Sequence, residues 1–110
     1  MKIAVPYEEG NICPRMGMAM QALICEVEDG KIVSSEVIST KGHGHAKLPA
    51  FLKENGAEIM LGDVLGMPML NAIEKEGLGL VAGAKGDAIA AVEAYLAGEL
   101  KHDPSAIDRG

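Results

Sequence analysis

Apolar and polar positions fall in short blocks whose period changes along the chain. Lys2 to Pro6 is a short apolar run with β-branched members, and it reads as a strand ending at the proline. Leu23 to Glu28 and Ile32 to Ser39 are two more strand-like runs, joined by Glu28-Asp29-Gly30-Lys31. An Asp-Gly pair between two such runs is the strongest local signal in the chain, and predicts a hairpin with a type I′ turn. Tyr7 to Met20 has no clean period, contains Gly10, Pro14 and Gly17, and reads as a long loop. From His45 the period becomes helical: Leu48, Phe51 and Leu52 share a face, Pro49 sits in the first turn, and Asn55-Gly56 supplies a stop. Ala57 to Leu61 and Leu78 to Ala82 are short apolar strands. Pro68 to Glu76 and Asp87 to Leu96 are helical, with Leu70, Ile73 and Met69 as the inward candidates of the first and Ile89, Val92 and Leu96 along one stripe of the second.

These blocks predict strands near residues 2–7, 21–28, 31–39, 58–62 and 78–82, and helices over about 46–55, 67–76 and 87–98. The order β-β-β-α-β-α-β-α predicts a layered α/β domain with a mixed sheet, in which the second strand runs antiparallel to its neighbours. Residues 101–110 mix charge, Pro104 and small residues around one sizeable apolar side chain, Ile107. They read as a flexible C-terminal tail, dispensable for the fold, behind a domain over residues 1–100.

Composition narrows the function classes. At 110 residues the chain fits one domain, which at this size buries about two-thirds of its unfolded surface. The formal net charge of -6, with no Lys/Arg stripe, argues against nucleic acid and anionic membranes as partners. No apolar run reaches transmembrane length, and the N-terminus reads as a strand instead of a signal peptide. Cys13 and Cys25 form no CxxC pair, which suits a reduced compartment, so the expected location is the cytoplasm. Only three residues are aromatic, against seven methionines.

The unusual residues collect in loops expected at the carboxyl ends of the parallel strands, where open α/β sheets bind ligands. His43 and His45 form a Gly-His-Gly-His run before a helix. They can converge on a metal, bind an anion beside free helix-start amides, or simply face solvent. Cys13 is either a soft ligand or a small buried hydrophobe, whereas Cys25, in mid-strand, reads as core. Met16, Met18 and Met20 alternate, as do Met67 and Met69. Thioethers suit soft metals, and methionine also fills irregular cores; Met16 and Met67 are the better placed. Arg15 either faces an anionic cofactor or pairs with Glu8 or Glu9. Asp63 reads most simply as a helix cap. No Walker loop, GxGxxG or GxSxG is present, and Gly83-Ala84-Lys85-Gly86 is too short for a phosphate loop.

Taken in order, Met1 to Pro6, Pro14 to Gly17, Asp29 to Lys31, Gly42 to His45, Gly62 to Gly66 and Ala94 to Leu100 resemble the successive motifs of the dinitrogenase iron-molybdenum cofactor biosynthesis family. This is the group of NifX-like proteins that includes the C-terminal domain of NifB-type proteins. The resemblance runs from Met1 to about Leu100. It implies a three-layer ribonuclease-H-like α/β/α fold with a mixed five-stranded sheet, order 3-2-1-4-5. Residues 1–100 would then be a NifX-like cofactor-binding domain. Where the family has Pro-His-Phe-Gly, this chain has Pro14-Arg15-Met16-Gly17 preceded by Cys13, and its Gly-Gly-Ile-Gly loop appears as Gly62-Asp63-Val64-Leu65-Gly66.

What the resemblance implies is a non-catalytic binding or carrier protein for a metal-sulfur cofactor or its precursor. The cargo would be an iron-, molybdenum- or copper-containing sulfide cluster, with a metallocluster donor or acceptor protein as partner. The chain itself would be a monomer or weak homodimer. The expected site joins Cys13, Met16, His43 and His45 as metal ligands with Arg15, His43, His45 and Met67 around the cofactor. Two other readings stay open: a metal-free regulatory or scaffolding domain, and a small enzyme with His43 or His45 as base.

Overall fold

The computed structural model describes residues 1–110. Eight strands and three helices follow one another as β1 (Lys2–Glu8), β2 (Asn11–Ile12), β3 (Gln21–Glu28), β4 (Lys31–Ser39), α1 (Leu48–Glu54), β5 (Ala57–Leu61), β6 (Leu65–Gly66), α2 (Met67–Glu76), β7 (Gly79–Val81), α3 (Ala88–Leu96) and β8 (Ile107–Asp108). The main sheet has six strands. Its path is β4-β3-β1-β5-β7, with β2 paired to β1 off that path, and β6 and β8 form a separate two-stranded sheet.

The expected five-stranded, ribonuclease-H-like sheet is therefore corrected. The sixth strand comes from the segment read as a plain loop. Glu9 and Gly10 both take positive φ, 48° and 90°, and turn the chain back so that Glu8 faces Asn11 and Tyr7 faces Ile12. A two-residue turn with positive φ at both positions matches strand twist, and here it is written Glu-Gly, outside the usual Asn-Gly and Asp-Gly signatures. The Asp29-Gly30 turn takes the same form, with φ of 52° and 75°.

β3 runs antiparallel to both β1 and β4, while β5 is parallel to β1 and β7 to β5. The carboxyl ends of β1, β4, β5 and β7 thus share one edge of the sheet, and the loops that follow them form one rim. β1 is central. Alternation along it sends Ala4 to one face and Ile3 and Val5 to the other. The Ala4 face carries α1 and α2, through Leu48, Leu52, Met69 and Ile73. The Val5 face carries α3, through Ala88, Ala91 and Val92. Fully burying each of these larger side chains contributes about 1.5–3 kcal/mol. α2 stops at Gly77, which is left-handed at φ 72°, and α3 starts at Asp87, whose carboxylate accepts from the Ala90 amide at 2.8 Å.

Residues 101–110, expected as a flexible tail, lie against the domain. The Asp103 amide donates to the Ala82 carbonyl, and the Ala82 amide donates to His102 Nδ1. A one-turn 3-10 helix over Pro104–Ala106 then delivers Ile107 into the α1/α2-side core, at 8% exposure, and β8 pairs parallel with β6. A single isoleucine suffices because the β6 ladder and the two hydrogen bonds to the Ala82 backbone hold the segment beside the core that Ile107 joins.

Candidate functional site

The rim is built by packing the first loop under the others. After β2, the Cys13 amide donates to Pro6, and the Met16 amide donates to the Val64 carbonyl. Arg15 and Val64 form a parallel bridge. Met16–Met18 make one turn of 3-10 helix. That turn points Met16 down and Met18 out. Met16 is fully buried, and Met18 is 63% exposed. A Cβ on Gly62 would lie 2.7 Å from Met16 Cε, so glycine at position 62 is what admits the methionine.

The second loop closes over Gly17. A Cβ on Gly17 would meet His45 Nδ1 at 3.2 Å, and one on Gly44 would meet the Gly17 carbonyl at 3.1 Å. His45 itself is held at φ 52°, a left-handed conformation that costs an L-residue about 1–2 kcal/mol. The buried Thr40 ties the loops together by donating from Oγ1 to the Ala19 carbonyl at 3.2 Å.

Two adjoining cavities result, of about 220 and 610 Å³. Both are lined by Gly17, Met18, His45 and Ala46, so they form one groove. Arg15 and the start of α2 (Gly66, Pro68, Met69) line the smaller cavity, and Lys41 and Lys47 line the larger. No Asp or Glu lines either cavity, although the chain carries 16 of them. The first turn of α2 has no side-chain cap, which leaves its amides to whatever enters.

The expected site residues ring this rim but do not meet in one cavity. Arg15 and His45 line the groove. His43 is turned away: its ring stacks on Phe51 with centroids 4.7 Å apart, its Nδ1 donates to the Thr40 carbonyl at 2.9 Å, and it lines a separate cavity of about 500 Å³. Cys13 is buried, donates from Sγ to the Arg15 carbonyl at 3.3 Å, and lines a third recess of about 480 Å³ with Met18 and Met20. Met16 belongs to the core, and Met67 Sδ accepts from Arg109 Nη1 at 3.6 Å. Among His, Cys, Asp and Glu, no three side chains are grouped to hold a metal ion.

Some groove residues escaped the sequence reading. Lys41 and Lys47 flank the Gly42–His45 run, and that bracketing was the available signal. Met18 was visible only as one member of an alternating trio. Asp63, expected as a cap, is buried and accepts from Lys85 Nζ at 2.7 Å. Cys25 is core, and burial pushes its thiol pKa up.

Known structures share this architecture. The crystal structure of PH0822 superposes with a TM-score of 0.87 at 26% identity, covering 96% of this chain and 97% of that one. The apo form of the orange protein from Desulfovibrio gigas gives 0.79 at 21% identity, over 94% and 92% of the two chains. The Methanocaldococcus jannaschii protein mj0327 gives 0.75 at 19%, over 94% and 95%. No curated protein sequence matches. The family described as dinitrogenase iron-molybdenum cofactor matches residues 1–98, and the chain belongs to that family.

Proposed function

We propose that the rim groove binds an anionic metal-sulfur cofactor or its precursor as cargo, and that the chain carries it without transforming it. The observation that carries this reading is the sign of the groove. In a chain of net charge -6, Arg15, Lys41, His45 and Lys47 line it and no carboxylate does, although Asp108 lies 3.9 Å from the Arg15 guanidinium and offsets part of its charge. Such segregation favours an anion, and low-dielectric walls strengthen it. The uncapped start of α2 adds its dipole. Met18, at the junction of the groove and the Cys13 recess, supplies a thioether for a soft metal or sulfide edge. Membership of the cofactor family supports the cargo class. Within this reading residues 1–100 form the carrier domain and a cluster donor or acceptor protein docks at the rim. No helix is long and apolar enough to cross a membrane, and the proposed place of work is the cytoplasm.

The test uses tetrathiomolybdate, a soluble molybdenum-sulfide anion, titrated calorimetrically under anaerobic conditions. Wild type is expected to bind it in a salt-sensitive way. An Arg15→Ala, Lys47→Ala double variant is expected to bind at least ten-fold more weakly, while His43→Ala binds as wild type. Equal affinity of the double variant and wild type refutes the groove as the site.

A further inference from the structure

The recess that holds Cys13 has the opposite chemistry to the groove beside it. Its volume is about 480 Å³, and Glu8 and Glu9 line it while no Lys, Arg or His does. Three sulfur side chains from the first loop face the same space. Of two cysteines and seven methionines in the chain, Cys13, Met18 and Met20 line this one recess.

The two methionines are not serving as core filler. Met16, Met60 and Met69 do that, within the α1/α2-side core. Met18 and Met20 are 63% and 80% exposed, the highest values among the large apolar side chains left on the surface. The backbone holds them there. Ala19 between them is buried and extended, at φ -68° and ψ 130°, so both neighbours turn outward. Thr40 pins this ridge twice: its Oγ1 donates to the Ala19 carbonyl, and its amide donates to the Met20 carbonyl at 3.0 Å. The ridge is fixed while each thioether keeps three rotatable bonds with which to reach inward.

We infer that the Cys13 recess is a binding site for a soft monovalent cation of the Cu(I) class, with Cys13 Sγ, Met18 Sδ and Met20 Sδ as its ligands. Thiolate and thioether donors select such an ion over harder divalent metals. Zinc would need a fuller set of nitrogen and sulfur ligands, and no three His, Cys, Asp or Glu side chains are grouped to provide one. Calcium or magnesium would need an oxygen cage where two carboxylates stand among sulfurs. The carboxylates of Glu8 and Glu9 instead draw the cation to the mouth through their field. At the floor, Cys13 is 6% exposed, and its thiol donates to the Arg15 carbonyl at 3.3 Å. On binding, that S–H bond breaks, the proton leaves to solvent and the metal takes its place on sulfur, so the charge of the recess is unchanged. The site takes a cation where the groove takes an anion, and it stands whether or not the groove carries cargo.

Competition with the Cu(I) chelator bicinchoninate under anaerobic conditions tests the site. Wild type is expected to withdraw one Cu(I) per chain. A Met18→Leu, Met20→Leu double variant alters only exposed side chains, so its circular dichroism should match wild type while its Cu(I) affinity falls at least ten-fold. Cys13→Ser is expected to lose the competition altogether, and Cys25→Ala to retain it. A wild type that takes no Cu(I), a double variant that binds as tightly as wild type, or a loss of binding in a folded Cys25→Ala overturns the inference.

Discussion

Met16 separates a core role from a ligand role by measurement. Its side chain is fully buried within the α1/α2-side core and packs on Gly62, where an added Cβ would stand 2.7 Å from its Cε. Met16→Ala removes three buried heavy atoms, Cγ, Sδ and Cε, from the α1/α2-side core. The lost transfer energy and the residual cavity together cost about 2–5 kcal/mol in comparable substitutions. The upper half of that range is expected, because the backbone on both sides is pinned. The Met16 amide bonds to Val64, and the Ala19 amide bonds to the Met16 carbonyl, so the loop cannot collapse into the space. For a domain of about 100 residues each kcal/mol moves Tm by roughly 4–8 °C, so a drop of more than about 10 °C is expected.

Met16→Leu provides the contrast, since near-isosteric swaps in cores cost less than about 1.5 kcal/mol. Urea denaturation followed by circular dichroism gives both values, and tetrathiomolybdate titration of the leucine variant gives the functional readout. The leucine variant is expected to keep wild-type binding. A loss below about 1 kcal/mol for Met16→Ala would refute the packing argument. Abolished binding in a well-folded Met16→Leu would show that the sulfur itself is used.

Three other outcomes follow from the geometry. Ile107→Ala should lower stability by about 2 kcal/mol or more, since it empties a buried position, and deletion of residues 101–110 should cost at least as much in urea unfolding; a change within error would mean the docked segment adds nothing. His45→Gly should hold or raise Tm, because it relieves the φ of 52°, while weakening anion binding several-fold; a lower Tm with unchanged binding would reverse both assignments. Burial raises the Cys25 thiol pKa, so the folded state retains a proton that the unfolded chain releases, and the stability this contributes is fully present below the ordinary thiol range and falls as pH rises above about 8.5. Cys25→Ala should flatten that alkaline decline in Tm relative to wild type, and an identical decline in both would assign it to other groups.

What was legible in the sequence was what local chemistry dictates. Asp29-Gly30 announced its hairpin because two adjacent positive-φ positions need such residues, and Leu48, Leu52, Ile73 and Val92 announced their helices because each buries a face with a 3.6 period. The rim loops were legible for the same reason, as consequences of which strands end where. β2 was missed because its turn is Glu9-Gly10 and it is itself only two residues long, too short to show alternation. β8 was missed because its stability is non-local: Ile107 gains its burial from β6 and α2, some forty residues away in the chain. Side-chain direction was harder still. His43 and His45 are two residues apart, and an extended run would have sent both to one side. The left-handed turn at His45 sends one ring to Phe51 and leaves the other against Gly17. Met16 and Met18 diverge likewise, because a 3-10 turn separates positions i and i+2 that a strand would align. Residue type and loop membership located the rim, but the sign of the backbone dihedrals inside each loop decided which side chains share the groove. That information sits in Gly17, Gly44 and Gly62, whose missing Cβ atoms make room for His45, for the Gly17 carbonyl and for Met16.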